Sequence, residues 1–228
     1  MRILLTRPEA DARLSAEKLS TLGHSCIVAP LFEIAATGEH QPHGDVSGVL
    51  ATSAHAFDAP EHIQTLRDLP MHLVGERTAE AARHAGFAQL RMSAQDATHL
   101  AQNIGMGAEH FLYLAGRERR PELETLLTAQ GHRVTPWIVY ETREATHLPQ
   151  AASTALMGGE IDAVLHFSTR SAALYRTLAQ AAGLEAQALK PVQIAISSRA
   201  AQELVGARQI AVAPTPDFDG FLSAFKAL

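Results

Sequence analysis

Short runs of aliphatic and β-branched residues alternate along this chain with longer stretches in which apolar positions recur every three or four residues. The first pattern belongs to strands buried on both faces, the second to helices with one face against a core. Arg2-Ile3-Leu4-Leu5 predicts a strand, and Thr6-Arg7-Pro8-Glu9 predicts the turn into a helix over residues 9–22. That helix is expected to bury Leu14, Leu19 and Leu22 and to stop at Gly23. A strand over 25–29 follows, with Cys26 inside it, then a connector over 31–34 and a linker over 35–44 holding Thr37, Gly38, Pro42 and Gly44. Residues 45–51 read as a strand ending in Thr52-Ser53, the start signal of a helix over 54–67. The same order returns with strands at 71–74, near 89–92 and at 111–114, and with helices ending at Gly86 and covering 96–104 and 121–129. The loop between the last of these strands and its helix is residues 115–120. After a strand over 137–142 and a polar linker over 141–149, strands at 161–167, 192–196 and 209–213 each lead through a polar turn into a helix. Strand, short loop, helix is the order that builds parallel sheets, so an α/β fold is expected.

The elements repeat. With Gly131 set on Gly23, His132 falls on His24, Tyr140 on Phe32 and Glu141 on Glu33. The strand at 46–50 with Thr52-Ser53 mirrors that at 161–165 with Ser168-Thr169, and Val74-Gly75-Glu76-Arg77 mirrors Ile196-Ser197-Ser198-Arg199. Residues 94–96 mirror 215–217 in the same way. The chain is therefore a short unit, a long unit, a short unit and a long unit, which makes two lobes of parallel sheet flanked by helices. They could assemble in sequence, or by exchange. In the exchange, residues 1–34 pack with 146–228, residues 45–138 form an uninterrupted lobe, and 31–44 and 137–148 are a two-strand connector. The exchange accounts for a linker after each connector strand, because the chain leaves one lobe and later returns to it. Tyr140 then faces the gap between lobes.

Composition narrows the function. At 228 residues with 46% apolar and 19% charged residues, each lobe can bury a core. A net charge of -5 argues against general nucleic-acid binding. One cysteine allows neither a disulfide nor a thiolate metal site, and the 12 histidines are scattered without a His-x-x-x-His pair, so no metal is expected. The first residues run directly into a strand, and no apolar run reaches the roughly 18 residues of a membrane span. A soluble, cytoplasmic monomer without a membrane partner is expected.

Ligands of parallel sheets bind beyond the carboxyl ends of strands, where helix starts offer free amides. The residues expected there are Arg7; Thr52 and Ser53; Arg77 and Thr78; Gly116, Arg117 and Arg119; Ser168, Thr169 and Ser171; and Ser197, Ser198 and Arg199. Each Ser or Thr is also a good helix cap in its own right. As a set, rich in hydroxyls and Arg and poor in Asp and Glu, they suit an anionic ligand held by several loops. No GxGxxG, P-loop lysine or Gly-x-Ser-x-Gly motif follows a strand, and Tyr140 is the one candidate for proton transfer.

Several of these segments together, in order and spacing, resemble uroporphyrinogen-III synthase over essentially the whole length. They are residues 4–9, Leu22-Gly23-His24 with Pro30-Leu31, Ala51-Thr52-Ser53-Ala54, residues 74–79, Val139-Tyr140-Glu141-Thr142, residues 167–171 and Pro214-Thr215-Pro216-Asp217. The chain departs from that family at His55, where Asn is frequent, and at Ser197-Ser198-Arg199, which stand in place of a Gly or Ser, Pro and Thr run. The resemblance implies two α/β lobes in the exchanged topology, a flexible two-strand junction, and no metal or organic cofactor. It implies a lyase of haem biosynthesis that closes hydroxymethylbilane with inversion of ring D to uroporphyrinogen III. Tyr140 matches the tyrosine proposed to help the hydroxyl leave, and Ser53, Thr78 and Ser197 match positions that contact product or affect activity. A reading of another class, a non-catalytic two-lobe sensor for a small anion, uses the same junction.

Overall fold

The computed structural model describes residues 1–226. In chain order its elements are β1 (Arg2–Leu5), α1 (Glu9–Ser20), β2 (Ser25–Val28), β3 (Phe32–Ala36), β4 (Gly48–Ala51), β5 (Met71–Val74), α2 (Glu76–His84), β6 (Leu90–Ala94), α3 (Ala97–Ile104), β7 (His110–Gly116) and α4 (Glu122–Ala129). There follow β8 (Arg133–Glu144), α5 (Gln150–Met157), β9 (Ala163–His166), α6 (Thr169–Ala181), α7 (Glu185–Ala188), β10 (Val192–Ala195), α8 (Ser198–Gln202), β11 (Ile210–Val212) and α9 (Phe218–Lys226). The chain divides into two compact units, Met1–Glu33 with Arg143–Leu228, and Ile34–Thr142. Residues 227 and 228, which end the expected range 146–228, lie outside the described residues.

The first unit holds a parallel sheet of order β11-β10-β9-β1-β2, and the second a sheet of order β3-β8-β7-β4-β5-β6. The exchanged topology is therefore the one the chain adopts: β1 and β2 come from its start, β9, β10 and β11 from its end, and they share one sheet. The sequence repeat equates β1 with β7, β2 with β8, and β9, β10, β11 with β4, β5, β6. Under that exchange of labels the first sheet becomes β6-β5-β4-β7-β8, the order of the second without its edge strand β3. One layer has been built twice, once as short then long and once as long then short.

Both sheets are covered on both faces, which is why their strands read as apolar runs without alternation. In the first unit Leu4 and Val164 pack to one side among Tyr175, Leu156 and Leu178, while Ile3, Leu5 and Leu165 pack to the other among Leu19, Ile194 and Phe221. In the second, Val49, Ala51, Leu112 and Leu114 share a side with Phe57, Leu66 and Trp137, and Leu50, Phe111 and Tyr113 share the other with Leu100 and Leu127.

Some expectations need correction. Residues 54–67 do not form one α-helix but two 3₁₀ turns, Ala54–Phe57 and Pro60–Leu66. Pro60 has no N–H to continue a helix and keeps the residue before it out of helical geometry, and Ala59 indeed sits at φ -123°, ψ 69°. Helix α1 buries Ala12, Ser15 and Leu19, not a leucine stripe; Leu14 and Leu22 are exposed. Small residues let the helix lie close on the sheet. Cys26 is half-buried because β2 is the edge of its sheet, and burial raises its thiol above the ordinary value, which favours the protonated form. Ala115 and Gly116 belong to β7, not to the loop after it. Residues 150–157, given no element above, form α5 and bury Ala152, Ala155 and Leu156.

Candidate functional site

In an open parallel sheet the ligand loops lie where successive connections turn to opposite sides. In the first sheet that point falls between β1 and β9, so Thr6-Arg7 and Phe167–Ser171 flank it. In the second it falls between β4 and β7, flanked by Thr52-Ser53 and Gly116-Arg117. Eight of the fourteen loop residues proposed above thus sit at a switch point. Thr78 follows β5, and Ser197, Ser198 and Arg199 follow β10, one strand further out in each sheet.

The serines cap helices. Ser53 Oγ accepts from the His55 N–H at 3.3 Å, Ser168 Oγ from Ser171 N–H at 3.0 Å, and Ser197 Oγ from Ala200 N–H at 3.3 Å. A cap engages only a lone pair, so each of these hydroxyls keeps its proton for an anion. Ser171 is different: buried, it donates to the Ser168 carbonyl at 2.8 Å and accepts from the Ser168 N–H at 3.1 Å. Thr78 is also buried. Thr52 Oγ1 lies 2.7 Å from the Tyr113 hydroxyl, and burial holds that phenol above its ordinary pKa against the Thr52 hydrogen bond. Tyr113 is therefore neutral at any physiological pH.

The arginines are engaged to different degrees. The Arg7 guanidinium stacks 4.3 Å from the centre of the Phe167 ring, donates to Ser15 Oγ at 3.2 Å and lies 3.4 Å from Asp11, so residues of both switch-point loops meet there. Arg117 bridges Glu141 at 2.7 Å and Glu39 at 3.0 Å, which raise its pKa further. A ligand carboxylate would have to displace one of these. Arg119 pairs with Glu124 at 2.7 Å, and Arg199 is exposed.

Tyr140 owes its position to a bulge. Along β7 and β8 the register runs one to one until Ala115 faces Ile138, and then Gly116 faces Tyr140, so Val139 is the extra residue. Side chains alternate before that point, Trp137 to one side and Ile138 to the other, but Val139 and Tyr140 both turn to the Trp137 side. Without the bulge, the phenol would enter the core beside Ile138. Instead the Tyr140 carbonyl accepts from Arg117 N–H at 3.0 Å and the half-buried ring stands close over Gly116. A Cβ at Gly116 would stand 2.6 Å from Tyr140 Cζ and 2.8 Å from its hydroxyl. We expect Gly116→Ala to cost about 1–3 kcal/mol of stability and to dislodge the phenol. Chemical unfolding and the near-ultraviolet signal of the folded variant check both.

Sequence reasoning gave no role to His55, named only as a departure from the family pattern, or to Asp58. His55 Nδ1 lies 2.8 Å from Asp58 Oδ2, and its ring centre is 5.9 Å from that of Tyr140. The spacing of the pair, three residues apart just after a capping serine, was the available signal.

Comparison with known proteins places this architecture. The family model for uroporphyrinogen-III synthase HemD matches residues 14–223, across both units. This chain belongs to the uroporphyrinogen-III synthase family. Its members are lyases of tetrapyrrole biosynthesis. The crystal structure of uroporphyrinogen-III synthetase from Helicobacter pylori is similar in fold, with a TM-score of 0.63 and 17% identity, covering 100% of this chain and 99% of the other. A mutant uroporphyrinogen III synthase from the extremely thermophilic bacterium Thermus thermophilus gives a TM-score of 0.50 at 19% identity, covering 100% of this chain and 98% of the other. No curated protein matches. Among the described residues no helix is long and apolar enough to cross a membrane.

Proposed function

We propose that this chain converts hydroxymethylbilane to uroporphyrinogen III. The observation that carries the reading is a family match through both units, joined to a bulge that brings Tyr140 to the last β7–β8 pair, beside a switch-point loop. The substrate is a linear tetrapyrrole with eight carboxylates. Helix-start amides and the hydroxyl protons of Ser53, Ser168, Thr169, Ser197 and Ser198 hold those carboxylates, with Arg7 and Arg199 as cationic partners. Thr52, Gly116 and Arg117 shape the loop ends that receive it. The buried Thr78 and Ser171 fix the helix starts from within.

In the reaction the C–O bond of the hydroxymethyl group breaks with its electron pair on oxygen, which takes a proton from Tyr140 and leaves as water. The azafulvene that remains closes unaided at the substituted end of ring D and gives isomer I. Holding the carboxylates so that the other ring D carbon attacks leads through a spiro intermediate to isomer III, and the proton lost from ring D at the end balances the one supplied at the start. Selectivity is then a matter of positioning, which fixed amides supply without strong acids or bases. On the same reading the two lobes are residues 1–34 with 146–228 and residues 45–138, with connectors 31–44 and 137–148. The enzyme works as a cytoplasmic monomer without a cofactor.

Freshly generated hydroxymethylbilane mixed with the protein, then oxidised and separated by isomer, tests this. Isomer III is expected in excess of the blank. Isomer I alone at the blank rate would leave the sensor reading in its place.

A further inference from the structure

Beside Tyr140 lies a cavity of about 150 Å³ within the second unit, lined by His55, Asp58, His62 and Tyr140 and by apolar groups that include Ile34 and Val139. Pockets that enclose small ligands run to about 300–1,000 Å³, so this one is far too small for a tetrapyrrole. A water takes about 30 Å³ of liquid volume, so the space suits a few waters or one hydroxymethyl group. All four of its polar walls are titratable groups. We propose that this pocket takes the departing hydroxyl as water, and that His55, held by Asp58, is the positioning residue that keeps Tyr140 supplied with its proton. This rests on the reading of Tyr140 above.

Asp58 at 2.8 Å occupies Nδ1 of His55 and leaves Nε2 as the nitrogen free to exchange a proton with the pocket. When the C–O bond breaks, oxygen takes the bonding pair and the Tyr140 proton, and water forms. The phenolate left behind is answered by the His55 proton, passed directly or through a pocket water, and His55 becomes neutral. The proton released from ring D at the end of the cycle restores it. No other reactant is needed.

The groups around His55 are few. On its own segment they are Asp58 and His62, the latter 3.9 Å from Glu61. Helix α2, packed on Ala54–Phe57, turns Thr78, Ala79 and Ala82 inward, none of them charged. The neutral Tyr113 stands on β7, the strand that also packs on that segment. Of these groups His55 is the one whose ring stands against that of Tyr140, 5.9 Å centre to centre.

The test measures kcat and KM for isomer III in the wild-type protein and in His55→Asn, Asp58→Asn, Tyr140→Phe and the Tyr140→Phe, His55→Asn double variant. His55→Asn is expected to lower kcat by about 10-fold and to leave KM unchanged. Asp58→Asn, at a more exposed side chain, is expected to lower kcat in the same direction and serves if His55→Asn does not fold. Because His55 acts through Tyr140, the double variant should be no slower than Tyr140→Phe alone. Losses that multiply in the double variant, or an unchanged kcat in His55→Asn, would overturn the inference. Full activity in Tyr140→Phe would instead remove the underlying reading of Tyr140, a different result from a silent His55.

Discussion

Replacing Tyr140 by Phe is expected to slow formation of isomer III by about 10²- to 10⁴-fold, the usual contribution of a positioned general acid, while leaving the fold intact. That is about 3–5 kcal/mol of lost transition-state stabilisation. The fold should survive because the ring is what packs: it covers Gly116 and lies against the Trp137 side of the core, and Phe keeps both contacts. No described residue hydrogen-bonds the hydroxyl, so its removal leaves no buried partner orphaned. KM should change little, since the carboxylates are held elsewhere. The measurement is isomer-resolved turnover with the unaided rate to isomer I subtracted, alongside a urea melt. Turnover equal to wild type would reduce Tyr140 to a packing residue of the connector strand.

How much of this the chain discloses in advance depends on which kind of interaction decides it. The two sheets were legible because their strands are buried on both faces, so runs such as Arg2-Ile3-Leu4-Leu5 and the strand around Leu112 stand out without alternation. The exchanged topology was one of two assemblies that the repeat allowed, and the sheet orders show that the chain takes it. Helix faces were less legible: α1 meets its sheet through Ala12 and Ser15, and an apolar count favours Leu14 and Leu22, which face water. The stretch from 54 to 67 misled because a good helix start at Ser53 is cancelled by Pro60 eight positions from Thr52.

At the candidate site, the helix caps were readable as caps, and Ser53, Ser168 and Ser197 are caps. The bulge was not. Nothing in Ile138-Val139-Tyr140 reveals that one residue is skipped, because the cause lies across the strand pair, where Gly116 leaves room for the ring. A strand-by-strand reading assigns side chains to faces by parity, and a single unpaired residue inverts that parity from Tyr140 onward. The roles of His55 and Asp58 were hidden for a related reason: their link to Tyr140 is made by the fold.

Acid should weaken the first unit through one residue. His166 ends β9, directly before the switch-point loop at Phe167–Ser171, and is fully buried. Its tautomer follows from its neighbour. Gln193 Nε2 donates to the carbonyls of Ala188 and Pro191, both at 2.9 Å, so Gln193 Oε1 must accept, and His166 Nε2 donates to it at 2.8 Å. Nδ1 has no hydrogen-bond partner among the described residues. A second proton there would place a charge in a dry site facing Tyr175, and burial accordingly pushes the imidazole down to about 4. The unfolded chain takes up that proton near the ordinary 6.5 and the folded chain only near 4. Stability is therefore full above about pH 6.5, falls as the pH drops through that window, and levels off below 4. At about 1.4 kcal/mol per pH unit the loss is on the order of 3 kcal/mol. His72, also lowered by burial, adds in the same direction. His166→Gln keeps a donor toward Gln193 but cannot titrate, so its unfolding free energy should fall less than that of the wild type between pH 7 and 4, by most of that amount. Parallel curves for the two proteins would mean that His166 is charged or solvated in the native state, and that the loop at Phe167–Ser171 opens more readily than its packing implies.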